Sequence, residues 1–468
     1  MDAEKKREWV LWLLPAAGTL FCLWYVKYAV CDVVYSDYIR LVNSYLPDVW
    51  DPGKFFVPDV LTRIPINYLC RIVNVELFDF SITFERVLGV VSLGLAGLVF
   101  ASYCRLQRIG CLWFSLLMAV MFSLNKWEML TNGSGWSHFF AFACFYYHEL
   151  VLERVWTGRE KKHDRLKLLI LPWLIILGTA GPYCAVYAAV MMLSYGFCMA
   201  AGQKREKWDK RYLIYIACVF IPLLLYILSN SFAVEEHAGA TGRSLGTILT
   251  ENPTFPVRFL LKSLAGILVG GEELTSLAER GILSDRGIYG LGLLAASGYL
   301  LSLWLIFRHK LYKKSLLPLM LLAGGAMNHI LIFLSRYIFE REDYAMSSRY
   351  ALQFQVGILG MILTFAVFYK AKQETAKKYG WIMGLFCLAI LLGNGYTTYH
   401  EIKKAPYREE NFEKMAQTAL LVPSMNEEEL KAREKELSDL FEYRKGADKI
   451  QRAFQILEEN KLNVFSRE

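Results

Sequence analysis

Residues 34–46 read Val-Tyr-Ser-Asp-Tyr-Ile-Arg-Leu-Val-Asn-Ser-Tyr-Leu and set a carboxylate, Asp37, a few residues beyond a long apolar segment. Ile39, Val42, Tyr45 and Leu46 recur at helical spacing, so the stretch is predicted to form a short helix lying along a membrane surface. Asp37 is read as a catalytic carboxylate. The competing reading is that Asp37 and Ser36 cap the helix, since both residue types accept backbone N–H bonds at helix starts. Two further clusters belong to the same predicted face: Glu128 with His138, and the arginine-rich residues 335–350. Arg40 and Arg63 accompany Asp37 in the first loop. Arginine carries a planar fork of donors that matches phosphate oxygens, so Arg336, Arg341 and Arg349 beside a membrane helix suit a lipid phosphate. The alternative is a ladder of salt bridges with Glu340, Glu342 and Asp343, three acids that could also hold a metal, although none is implied. Arg349 stands where an apolar helix begins. A charge deeper in would cost about 2.5–3.5 kcal/mol, so Arg349 is expected to have a specific partner. His138 has its own alternative, an aromatic-belt position beside Trp136. No HExxH, P-loop, GxSxG or CxxC motif is present, which argues against a zinc protease, a nucleotide hydrolase or a serine hydrolase.

The frame that must position these groups is a membrane one. Of 468 residues, 55% are hydrophobic and 15% aromatic, and the mean hydropathy is +0.29, beyond a soluble domain of mixed surface and core. The formal charge of +8 does not point to nucleic acid. The cations fall in short loops between apolar segments, the pattern of loops retained in the cytoplasm. Ten cysteines lie mostly in apolar runs without metal-ligand spacing and read as small packing residues.

Charge places the N-terminus in the cytoplasm, and the apolar run after Lys5, Lys6 and Arg7 reads as a retained first helix over about 9–30. An all-α polytopic membrane protein of about 11 transmembrane helices is predicted for residues 1–398. It has external loops at 35–83, 229–287 and 335–350, the first carrying two amphipathic helices. The apolar run 168–201 is longer than the roughly 20 residues one span needs. Gly181-Pro182 is expected to break it into a helical hairpin beside a cavity, which keeps the basic stretch 204–211 inside. Residues 259–270 are too short to span and read as re-entrant or interfacial. Residues 399–468 form a small external helical tail, with amphipathic helices at 426–442 and 448–462 that pack on the external loops.

A first helix, a long external loop with a carboxylate just after it, two surface helices and then Phe84-Glu85-Arg86-Val87-Leu88-Gly89-Val90-Val91 resemble the GT-C fold glycosyltransferases. The nearest comparison is the bacterial members and the protein O-mannosyltransferase and aminoarabinose-transferase relatives. The resemblance covers about residues 9–398 in architecture. It implies transfer, with inversion, of a sugar from a polyprenyl-phosphate carrier to a glycan, lipid or cell-envelope acceptor on the extracytoplasmic face of the cell membrane. It requires no cofactor beyond the lipid-linked donor. By position Asp37 would match the general base. Arg349 and Arg336 would match the residues that bind the carrier phosphate. The family often shows two acids together where this chain has Ser36-Asp37, which leaves Asp48 and Asp59 as substitutes for the base. A lipid-linked oligosaccharide flippase or transporter would instead show inverted repeats and charges buried in mid-helix. A polysaccharide polymerase would share the rim arginines.

Overall fold

The computed structural model describes residues 3–56, 64–201, 209–230 and 240–466. Among these residues every regular element is helical. That outcome follows from the long apolar runs, because a helix satisfies its backbone groups within its own segment where no water can. The chain runs from α1 (Ala3–Ala29) through α2 (Asp37–Tyr45) and α3 (Pro65–Phe78) to α4 (Ile82–Gln107). Then come α5 (Cys111–Met121), the short α6 (Trp127–Thr131), α7 (Trp136–Trp156), α8 (Asp164–Gly178), α9 (Cys184–Ala201) and α10 (Arg211–Asn230). The short α11 (Leu245–Glu251), α12 (Phe255–Leu268) and α13 (Gly271–Glu279) precede α14 (Asp285–Arg308), α15 (Leu317–Arg336), α16 (Ala351–Ala371) and α17 (Gln373–Leu421). The tail holds α18 (Glu427–Ala432), α19 (Glu434–Leu440) and α20 (Ala447–Glu459).

Among the described residues, eight helices are long and apolar enough to cross a membrane: α1, α4, α9, α10 and α14 to α17. This is the architecture of a multi-pass membrane protein. Three other segments read as spans are helical but differ. α5 has 11 residues and α8 has 15, about 16 and 22 Å of helix against a hydrocarbon core of about 30 Å. α7 has 21 residues, but Glu149, Glu153 and Arg154 crowd its second half. α10 exposes Phe220, Ile221, Leu224, Leu225, Ile227 and Leu228, as a lipid-facing helix does. α16 is the opposite: all its residues from Leu352 to Phe368 are buried. It is the central pillar, and α15 packs tightly along it. A Cβ on Gly325 would lie 2.5 Å from the Gly357 Cα, so only glycine permits that approach.

The run 168–201 is broken. α8 ends at Gly178, Gly181 takes φ 50°, and Pro182 sits in the turn before α9. α12 is a wedge of protein rather than an interfacial helix, packed on α14, α15, α16 and α17 with Phe259, Ser263 and Ala265 buried. The boundary expected at residue 398 falls inside α17, a single helix of 49 residues that carries Pro406 and is about 73 Å long. Asn394 in α17 fastens it to its neighbours. Its Nδ2 donates to the carbonyls of Ile267 and Leu268, and its Oδ1 accepts from Ser123 Oγ at 2.9 Å and Asn125 Nδ2 at 3.0 Å.

The tail packs on the first loop. Ser36 N donates to Phe441 O at 2.7 Å, and Asn43 Nδ2 to Lys449 O at 2.9 Å. The apolar face of α2, expected to meet a membrane surface, is instead covered by protein, with Tyr38, Ile39, Leu41, Val42 and Tyr45 buried and α20 packed against it. The helix expected over 426–442 is two, α18 and α19, meeting at Arg433. α18 opens with a capping box, Asn426 and Glu429 bonding each other's backbone N–H. Part of the second amphipathic piece expected in the first loop, with Asp59 and Arg63, lies outside the described residues, as does most of the basic stretch 204–211.

Candidate functional site

Asp37 is the first residue of α2. Ser36 before it has φ 52°, and its side chain makes no capping bond. A positive φ on a residue other than glycine costs of order 1–3 kcal/mol and persists only where the surroundings impose it. Here the Phe441 carbonyl of the tail holds the Ser36 N–H. The tail therefore helps set the angle at which Asp37 is presented.

Asp37 lines a cavity of about 260 Å³ together with His138, Arg336 and Arg349, and with Glu128 and Arg71. Pro182 and Tyr183 complete one wall, so the cavity opens beside the helix break. The six groups come from six elements. Arg349 sits in the 3-10 turn Ser348–Tyr350 immediately before the buried pillar α16. Its Nε donates to Glu128 Oε1, and Ser348 Oγ donates to Glu128 Oε2 at 2.9 Å. Glu128 is thus the partner expected for Arg349, and the Asp37 carboxylate attracts the same guanidinium. Arg336 ends α15 between the rings of Tyr350 and Phe339, 5.7 and 5.9 Å from its guanidinium carbon. Its Nε is buried with no hydrogen-bond partner among the described residues. His138, in the first turn of α7, meets Tyr183 edge to face with ring centroids 4.9 Å apart.

Arg71 was not singled out by sequence. It lies on α3, 5% exposed, with its guanidinium carbon 4.2 Å from the centroid of the Tyr45 ring. The only local signal is an arginine inside an amphipathic stretch. Arg40 and Arg341 do not line the cavity: Arg40 faces Tyr443 of the tail, and Arg341 stacks over Tyr344 at 5.5 Å. Asp48 is exposed and away from it.

The acids at 340–343 do form a ladder, but with an earlier segment of the chain. Glu340 pairs with Arg243 at 2.8 Å, Glu342 with Arg258 at 2.6 Å and Asp343 with Lys262 at 2.9 Å. Among the described residues no group of three or more His, Cys, Asp or Glu side chains is arranged to hold a metal. Glu85 and Arg86 part company. Glu85 accepts from Tyr38 Oη at 2.5 Å, while Arg86, 2% exposed, donates to the carbonyls of Thr131 and Cys31 at 2.5 and 2.7 Å. Asp32, the other acid near the end of α1, is committed to structure. It accepts from Ser81 Oγ at 2.6 Å and Ile82 N at 2.7 Å and so caps α4.

Across the Glu128–Arg349 pair lies a second cavity of about 340 Å³, lined by Trp127, Lys404, Tyr407 and Arg408 and sharing Glu128, Asn132 and Arg349 with the first. Arg408 lies 3.2 Å from the Trp127 ring centroid and pairs with Glu401 at 2.7 Å. Burial, and then the charge of Glu401, push the Glu272 carboxyl up to about 7. Ser348 Oγ links it to Glu128, lying 3.4 Å from Glu272 Oε1.

The arrangement concentrates three guanidinium groups, a histidine and two carboxylates around one pocket. Fixed forks of donors suit an anion with several oxygens, and a carboxylate beside them can accept a proton. No known protein family, curated protein or solved structure matches the chain.

Proposed function

We propose that the protein is an inverting glycosyltransferase of GT-C-like architecture with about 11 spans, and that it moves a sugar from a polyprenyl-phosphate carrier to a glycan, lipid or cell-envelope acceptor. One observation carries the reading: Asp37, His138, Arg336 and Arg349, drawn from separate elements, share a single cavity. In the reaction the acceptor hydroxyl oxygen attacks the anomeric carbon from the face opposite the carrier. Its proton passes to Asp37, the bond from anomeric carbon to phosphate oxygen breaks, and the electron pair leaves with the carrier phosphate. Arg336 and Arg349 stabilise the charge that grows on that phosphate. Glu128, which accepts from both Arg349 and Ser348, serves in this reading to orient Arg349.

A reading from another class, a lipid-linked oligosaccharide flippase or transporter, is favoured by one feature. Glu149 is 6% exposed within α7, and its Oε2 has no hydrogen-bond partner among the described residues. Purified protein reconstituted in liposomes with radiolabelled polyprenyl-phosphate sugars separates the two. Release of free carrier phosphate with label in the acceptor supports the transferase. Movement of intact donor between leaflets with no carrier release supports the flippase and sinks the first reading.

A further inference from the structure

At the end of the bundle away from Asp37 is a second concave region built from three connections of the chain. A cavity of about 490 Å³ is lined by Arg159 from the turn after α7, Lys313 and Lys314 from the turn before α15, and Lys370 at the end of α16. All four side chains are exposed. No carboxylate lines the cavity. Glu153, buried behind the lining Gln107, is already satisfied, accepting from Gln107 Nε2 at 2.5 Å, Leu316 N at 2.6 Å and Leu317 N at 3.0 Å.

Part of this cationic character has a structural use. Lys370 donates to the Gln107 carbonyl and Arg159 to that of Leu106, so both cap the carbonyl end of α4. A helix end carries only about half a negative charge, which leaves most of the positive charge uncompensated. Lys370 is repelled by Arg159, Arg108, Lys314 and Arg7 together. Retention of cations in cytoplasmic loops explains why lysines and arginines occur at this end. It does not explain why three separate connections aim them into one hollow, where they repel. The hollow is also amphipathic, since Val367 and Ala371 of α16 and Ile109 and Trp156 form part of its lining.

We propose that this cavity is a binding site for a phosphate-type anion, supplied either as a phospholipid headgroup or as a soluble phosphate. The cations hold the phosphate oxygens, and the apolar wall accommodates the start of an acyl-bearing glycerol if the source is a lipid.

The test is native mass spectrometry of the full chain, delipidated in mild detergent and titrated with phosphatidylglycerol, phosphatidylcholine or pyrophosphate. Wild type, Lys313→Gln/Lys314→Gln, Arg159→Gln, a control matching the charge change of the double variant, Lys162→Gln/Lys378→Gln, and one matching the single variant, Lys162→Gln, are compared after matching their melting temperatures. The expected result is binding of phosphatidylglycerol about tenfold tighter than phosphatidylcholine, a preference lost in both cavity variants and kept in both controls. Pyrophosphate binding with the same dependence on the variants, and no preference among lipids, would identify a soluble anion as the source and also support the site. Equal loss in cavity variants and their matched controls would overturn it, because bulk charge would then suffice. So would a wild type that neither prefers the anionic lipid nor binds pyrophosphate.

Discussion

The two ends of the bundle both gather arginines and lysines, but they treat them differently. At the α2 end four cations are held by carboxylates: Arg349 by Glu128, Arg408 by Glu401, Arg258 by Glu342 and Lys262 by Asp343. At the far end the cations of the basic hollow converge without an acid in its lining. Pairing fixes a side chain and its direction, which a reaction needs, because a positioned group stabilises charge without reorganising. Mutual repulsion leaves a standing attraction for any anion, which retention needs. Under the two proposals, the contrast is between one end arranged for chemistry and another for holding.

The far end is not without pairing, and its buried pair gives the largest effect expected. Arg154 donates twice to Asp164, at 2.7 and 2.8 Å, with the Asp164 side chain wholly buried. Asp164→Asn leaves a buried guanidinium without its counter-charge and is predicted to cost about 3–5 kcal/mol. Thermal unfolding in detergent would read this as a large drop in melting temperature, while the double variant Arg154→Met/Asp164→Leu recovers most of it. A double variant no better than the single would show that the pair is not what holds α7 to the start of α8.

A smaller effect probes the paired end. Arg349→Lys keeps the charge but loses the fork. It is predicted to raise the donor KM about tenfold, near 1.4 kcal/mol, with the fold intact. An unchanged KM alongside normal folding would mean that Arg349 serves Glu128 alone.

The smallest concerns Glu272. Its carboxyl is raised to about 7 by burial and by Glu401, so the folded chain holds this proton more tightly than the unfolded chain does. The stability linked to it is present below about pH 4.3, the ordinary glutamate value, and is lost as pH rises through about 7. Glu272→Gln is therefore predicted to flatten the fall in melting temperature between pH 5 and 8. The difference stays below about 1 kcal/mol, because 40% of the side chain is exposed and solvent screens it. Parallel profiles for wild type and variant would place the ionisation elsewhere.

How much of this was legible depended on whether the cause was local. The break at Gly181-Pro182 could be read directly, since a residue without a donor beside one free to take positive φ acts within a few positions. The apolar face of α2 was legible from its spacing, but its cover was not. Asn463 donates to Asp32 Oδ1 at 3.3 Å across 431 positions, and nothing near either residue announces the other. The same holds for the acids at 340–343, whose partners Arg243, Arg258 and Lys262 come from a segment some 80 to 100 positions earlier. Arg71 was missed because the aromatic ring that seats it, Tyr45, belongs to another helix. Asp37 and Asp32 look alike in sequence. Only the fold separates the one that lines a cavity from the one that caps α4.

The decisive measurement is a single-turnover transfer experiment on reconstituted wild type and Asp37→Asn, with donor binding measured on the same samples. If Asp37 takes the acceptor proton, the variant binds the lipid-linked sugar with wild-type affinity and transfers it about 10²–10⁴-fold more slowly. Transfer at the wild-type rate by a variant that binds donor normally would contradict that role and move the base to another carboxylate.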